Sequence, residues 1–210
     1  MLHTETVESG TFSILKEIMQ LPSLRDHRLV GGTALALRYG HRISEDLDLF
    51  CANSFSREEV IQELSSKFSN RFSYNGANLE IGIFGFIDQV KIDIVHYPHK
   101  FLQNPKITSN IRLAHDMDIG AMKIQAVLGR AMKKDFWDLA ELLRKYSLSE
   151  MLSWHQQKYP NQMLAISIPE ALIYFEEAEH GINPISINGK SWSDIKAEIK
   201  QAVNDYLKVS

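Results

Sequence analysis

Apolar and polar positions change rhythm several times along the chain, and the changes mark out its elements. Residues 11–20 carry helical spacing ahead of a turn at Pro22. Leu29-Val30 reads as the end of a buried strand, and Thr33-Ala34-Leu35-Ala36-Leu37 as a helix. Leu47, Leu49 and Phe50 mark a second strand, with Asp46 and Asp48 alternating between the apolar positions. Residues 56–69 predict a helix with Ser56 as N-cap and Val60, Leu64 and Phe68 on one face. Leu79 to Phe86 and Val90 to Val95 read as paired strands joined through Ile87-Asp88-Gln89. Residues 121–143 carry helical spacing at Met122, Ala126, Val127, Phe136, Leu139, Leu142 and Leu143. Ile195, Ile199, Val203 and Tyr206 give a closing helix behind Ser191, where Asp194 stands in for the Glu of a capping box.

These elements predict an α+β protein: a short mixed sheet flanked by helices in residues 1–105, then a mainly helical C-terminal half in 106–210. The division is placed where the chain loosens through Tyr97-Pro98 and Asn104-Pro105.

The stretch LVGGTALALRYGHRISEDLDLF, residues 29–50, carries the strongest chemical signal. Glycines at 31 and 32 permit positive φ and close backbone approach, the conditions for N–H groups around a phosphate. The helix that follows offers its N-terminus to the same anion. Two carboxylates at i and i+2 of a strand project on one face, and paired carboxylates suit a hard cation such as Mg²⁺. Taken singly, a diglycine is usually a turn and a D-x-D a solvated strand end. Their order, strand, glycine turn, helix, acidic strand, is what points to a metal-bound nucleoside triphosphate.

G-G, about a dozen residues, then D-hydrophobic-D resembles the nucleotidyltransferase superfamily that includes DNA polymerase β. The fuller wording GGTALAL…GHRISEDLDLF is similar to its AbiEii/AbiGii-type branch, toxins of bacterial toxin–antitoxin and phage-defence systems. The resemblance covers residues 27–145 and implies the nucleotidyltransferase fold. It also implies an activity of the EC 2.7.7 type, in which a nucleoside monophosphate passes from an NTP to a hydroxyl. The superfamily requires a third carboxylate on a neighbouring strand, and VKIDIV supplies Asp93. Asp46, Asp48 and Asp93 are the expected metal ligands, for two Mg²⁺ ions with Mn²⁺ as the alternative. Further along, MK-x-x-A…R…KDFWDL resembles the family's downstream motif and assigns function to Lys123 and Asp135. Gly31, Gly32, Thr33, Lys123 and Arg130 are expected to bind the nucleotide. So are Arg42 and Ser44, because the family shows a similar R-x-S ahead of its acidic strand.

Lys123, Arg130 and Lys134 make one cationic stripe if the helix runs unbroken. Lys133 reads as a solubilising charge and His41 as loop, while Asp138 is balanced between function and a helix-pairing role that holds Arg130. The scattered His96, His99 and His115 lack metal-ligand spacing.

Composition narrows the partners. A net charge of −3 argues against a general nucleic-acid coat but leaves an RNA acceptor, such as transfer RNA, open. The single Cys51 excludes internal disulfides and suits a reducing cytoplasm. The N-terminal residues lack a signal-peptide layout, and no apolar run of membrane-spanning length occurs. A cognate antitoxin partner is implied by the resemblance alone. Two other readings stay open from sequence: a non-catalytic nucleotide- or partner-binding module of the same fold, and a phosphotransferase using the same metals.

Overall fold

The computed structural model describes residues 1–77 and 80–209. Leu79, expected to open a strand, and Ser210 lie outside the described residues. The first helix, α1 (Ser9–Ile18), precedes the two-residue strand β1 (Arg28–Leu29). Then come α2 (Gly31–Tyr39), β2 (Leu47–Cys51) and α3 (Arg57–Phe68). Ser56 caps α3 as expected, its side chain accepting from the Glu59 N–H at 3.2 Å.

Strands β3 (Phe72–Asn75), β4 (Gly82–Ile87) and β5 (Val90–His96) form an antiparallel meander. A hairpin of β6 (Lys106–Thr108) and β7 (Ile111–Leu113) completes a seven-stranded sheet in the order β3-β4-β5-β2-β1-β7-β6. β2 runs parallel to β5 and β1 parallel to β7, while the remaining neighbours are antiparallel. The sheet is therefore mixed, as the alternating rhythm predicts. Its last two strands come after residue 105, so the change from sheet to helix falls at Asp116.

From there the chain is helical: α4 (Asp116–Arg130), α5 (Lys133–Leu143), α6 (Leu148–Lys158), α7 (Ile168–Leu172), α8 (Glu176–Glu179) and α9 (Trp192–Val209). The helical spacing over 121–143 is real but the helix is not continuous. Ala131 adopts a left-handed φ of 41°, ends α4 and lets α5 start in a new direction. The expected single stripe is thereby corrected: Lys123 and Arg130 belong to α4, Lys134 to α5.

The expected solvent role of Lys133 is corrected too. It is buried, with its ammonium 5.4 Å from the Trp192 ring centroid. Trp192 also stacks on Trp137 at 5.6 Å and meets Phe136 edge-on, which fixes α9 against α5. At the start of α9 the Asp194 carboxylate accepts from Ser191 N at 2.8 Å while Ser191 Oγ accepts from Asp194 N, a capping box with Asp in place of Glu.

One apolar core runs from α1 to α9, and Leu47, Leu49, Ile92 and Ile94 anchor the central strands in it. Alternation then sends Asp48, Phe50, Lys91 and Asp93 to the opposite face.

Candidate active site

The site is built around the pairing of β2 with β5, whose register sets Asp48 directly beside Asp93. A third element closes on the same point. The Val30 N–H donates to the Asp48 carbonyl at 2.9 Å, and Gly31 follows with a φ of 68°. A Cβ on Gly31 would lie 2.7 Å from Asp48 Oδ2, so glycine is required both for the turn and for the carboxylate's approach. Gly32 serves a different neighbour, because a Cβ there would collide with the Arg42 guanidinium. The N-terminus of α2 is thus held against an acidic strand, and its dipole faces negative charge.

Asp48 responds to this setting. Burial and the adjacent Asp93 charge push its pKa up to about 6, against a partial offset from Lys123. Asp93 accepts from Lys91 Nζ at 2.7 Å through Oδ2, while its Oδ1 is buried with no partner among the described residues. Asp46 lies just before β2, partly exposed, with Oδ2 3.4 Å from Lys134 Nζ. Its backbone carbonyl accepts from Thr33 Oγ1, whose oxygen also lies 2.9 Å from the Ser44 hydroxyl. Thr33 and Ser44 are both buried and brace the acidic loop, with Ser44 also at the edge of a hollow shared with Asp46 and Lys134.

Among the described residues no three Asp, Glu, His or Cys side chains are gathered tightly enough to hold a metal ion as they stand. Lysines draw two of the three acids outward, Asp46 towards Lys134 and Asp93 towards Lys91. The donor set nevertheless fits a hard divalent cation. It is all oxygen, it contains a buried Oδ1 with no partner among the described residues, and its Asp48 carboxyl is held above its ordinary pKa by burial and Asp93, a shift that a bound cation would oppose.

Behind the acids lies a buried ion network. Lys123 Nζ is 2.8 Å from Asp135 and 2.6 Å from Asp138. Burial alone would lower the lysine's pKa, but the Asp138 and Asp135 charges outweigh it and hold it above its ordinary value. Asp138 also accepts from Arg42 Nε at 2.7 Å and Nη2 at 2.9 Å, and sits 2.7 Å from His41 Nε2. Its carboxyl would be raised by burial, yet Arg42 and Lys123 pull it well below the usual range. Asp135 in turn accepts from Arg130 Nε at 2.9 Å, and the Arg130 side chain is 55% exposed, so its outer edge remains available to a ligand.

Three expectations change here. The Arg42 fork, expected on phosphate, is occupied: two of its nitrogens serve Asp138 and Nη1 donates to the Ile43 carbonyl at 2.9 Å. Asp138 does pair elements, but with His41, Arg42 and Lys123, while Arg130 goes to Asp135. His41 is no loose loop residue but a buried member of the network.

A cleft of about 430 Å³ opens over Gly31, Asp48, Lys123 and Arg130. Phe50, Tyr97, Gln125 and Tyr159 also line it, none of them an expected site residue. Phe50 was legible, being two residues from Asp48 on the same strand face. Tyr97 and Tyr159 share a hydroxyl–hydroxyl hydrogen bond across 62 residues of chain, and no local pattern announces that pairing.

A glycine turn, a helix N-terminus and paired acidic strands over such a cleft define the nucleotidyltransferase class. The family model for the nucleotidyl transferase AbiEii toxin of type IV toxin–antitoxin systems matches residues 13–179, and the chain belongs to that family. An uncharacterised protein of Aquifex aeolicus is 34% identical over 206 residues, covering 92% of this chain and 94% of its own. Among solved structures, JHP933 from Helicobacter pylori aligns with a TM-score of 0.59 at 17% identity, over 96% of this chain and 94% of that one. MenT4, a nucleotidyltransferase toxin from Mycobacterium tuberculosis, aligns at 0.55 and 14%, over 93% and 84%. At these identities the two structures support the fold.

Proposed function

We propose that this toxin-family nucleotidyltransferase moves a nucleoside monophosphate from an NTP onto a hydroxyl and releases pyrophosphate. The observation that carries the reading is the register of Asp48 beside Asp93 under the Gly31 turn, which sets two carboxylates where a phosphate-binding helix begins. Asp46, Asp48 and Asp93 are the residues that would hold Mg²⁺ (or Mn²⁺). When bound there, the ion supplies Lewis-acid polarisation of the phosphoryl oxygens and a lowered pKa for the acceptor hydroxyl.

The chain's own groups do the rest. The Gly31 turn and the α2 N-terminus offer backbone N–H groups and a positive dipole end to the phosphates. Arg130, oriented by Asp135, reaches the cleft with its exposed edge and balances charge on the leaving pyrophosphate. Lys123 is buried and acts on Asp48 by its field, favouring the ionised carboxylate. Asp135 and Asp138 fix both cations, and Thr33 with Ser44 fixes the loop that carries Asp46. Arg42 contributes through Asp138 and is a positioning residue.

The acceptor is proposed to be RNA, transfer RNA included, and the partner a cognate antitoxin encoded with the toxin, in the cytoplasm. Family membership supports the toxin role, and no helix among the described residues is long and apolar enough to cross a membrane. Incubation with each α-labelled NTP, Mg²⁺ and total bacterial RNA tests the reaction. Label on RNA that vanishes in Asp48→Ala and on chelation is the expected result. RNA left unlabelled while γ-phosphate is released would indicate a phosphohydrolase instead. Growth arrest on induction of wild type, absent in Asp46→Ala and Lys123→Ala, tests toxicity separately.

A further inference from the structure

The cleft beside the acidic strands has a second wall that the phosphate chemistry does not use. Asp48 and Phe50 share one face of β2, so the aromatic ring stands next along the strand from the carboxylate. Phe50 meets Tyr97 at 5.3 Å between centroids, and Tyr97 is tied through its hydroxyl to Tyr159. Such a wall suits the flat face of a nucleobase, and stacking on it discriminates little between bases.

A polar group that can discriminate lies in the same cleft. Gln125 is on α4, two residues after Lys123, with Met122 and Gly129 on its own stripe and all three lining the cleft. Its Oε1 is 3.0 Å from His155 Nε2. His155 is buried on α6, and that burial pushes its pKa down to about 4, so at neutral pH the ring carries a single proton. With that proton on Nε2, the histidine donates to the amide oxygen and fixes which way the amide faces. Among the described residues no hydrogen bond is made by Gln125 Nε2. Its two N–H donors are therefore left to whatever enters the cleft. The His155 ring packs at 5.0 Å on Tyr159, which joins the amide's orientation to the aromatic wall.

We propose that Gln125, held by His155, reads the nucleobase and selects UTP and GTP, which carry a carbonyl at position 4 or 6, over CTP and ATP, which carry an amine at that position. The first pair offers an acceptor at O4 or O6, the second a donor at N4 or N6. A donor facing a donor leaves both groups unsatisfied in a partly desolvated site, which is how one hydrogen bond gives discrimination. Gln125 is the residue that touches the base, and His155 is a positioning residue. The inference rests on the transferase reading, because it assumes that the triphosphate lies along Gly31 and Arg130.

The test is the dissociation constant of each of the four NTPs with Mg²⁺, by calorimetry, for wild type, Gln125→Glu, Gln125→Ala and His155→Phe. Inorganic tripolyphosphate is the control for the phosphate subsite, and thermal melting verifies folding. Wild type is expected to favour UTP and GTP by about tenfold. Glutamate, an acceptor of the same shape, is expected to reverse the order. Alanine is expected to flatten it, and His155→Phe to bring it towards unity while tripolyphosphate binding holds.

An order of preference that survives both Gln125 substitutions, or a wild-type preference for CTP and ATP, overturns the inference and leaves the transferase reading intact. If wild type binds tripolyphosphate but discriminates among no bases, the inference again falls alone. If it binds no NTP with Mg²⁺, the transferase reading falls and the base-reading role falls with it.

Discussion

Asp138 shows how far one side chain can govern this molecule. It is fully buried and accepts from His41 and Arg42 while neutralising Lys123, so removing its carboxylate strands the Arg42 guanidinium away from water and leaves Lys123 with Asp135 alone. Breaking a buried ion cluster in this way costs about 3–5 kcal/mol, and we expect Asp138→Ala to lose that much in urea unfolding. His27 gives a pH dependence of known sign. It is buried, both ring nitrogens lack hydrogen-bond partners among the described residues, and burial together with Arg112 pushes its pKa down to about 4 from 6.5. The unfolded chain takes up the proton first as pH falls, so stability is full above about 6.5 and declines towards 4. His155 behaves alike, with a pKa of about 4. Melting temperatures should fall between those limits, and His27→Leu should flatten the fall; an unchanged slope in that variant would show that His27 is not responsible. At Gly31, substitution by Ala forces a left-handed φ on an L-residue, costing about 1–2 kcal/mol, and drives a methyl towards Asp48. Activity should suffer more than stability there. These residue roles were unevenly legible. Gly31, Asp48 and Asp93 announce themselves by spacing, whereas Arg42 was expected on phosphate because a sequence shows a fork and not the carboxylate already filling it.

Among the elements, the joint between α4 and α5 separates what periodicity can and cannot tell. Helical spacing over 121–143 finds Val127, Phe136, Leu139 and Leu142, which are buried, whereas Met122 and Ala126 line the cleft and the buried Ile124 falls outside the set it names. It cannot reveal the break, because Ala131-Met132 contains no glycine or proline and alanine favours helix. Tertiary structure decides the matter. Lys123 and Arg130 must both reach Asp135, which sits in the first turn of α5, and a left-handed residue supplies the change of direction. Ala131→Gly removes that residue's steric cost, so chemical denaturation should show a gain of up to about 1 kcal/mol. A loss of that size would mean that the buried methyl matters more than the backbone strain. The β6–β7 hairpin was invisible for another reason: three-residue strands carry too few alternations to register, and only the pairing of β7 with β1, and of β6 with β7, reveals them.

For the whole molecule, the class of fold could be read from the order of elements and the family resemblance of residues 29–50, and the acidic strands from DLDLF and VKIDIV, while their parallel pairing came only with the structure. The cleft's aromatic wall could not be read, because Phe50, Tyr97 and Tyr159 come together only when α6, packed on α4, carries Tyr159 at its end to Tyr97. What unites the parts is the claim that Asp46, Asp48 and Asp93 form a cation-dependent triphosphate site. The most direct test is calorimetric titration of a non-transferable α,β-methylene NTP into wild type, Asp48→Asn and Asp93→Asn, each with and without Mg²⁺. The account predicts that Mg²⁺ tightens binding to wild type by at least about tenfold, or ~1.4 kcal/mol, and that either asparagine removes this gain while folding is retained. Equal binding with and without Mg²⁺ in wild type, or a full Mg²⁺ gain in Asp48→Asn, would contradict it.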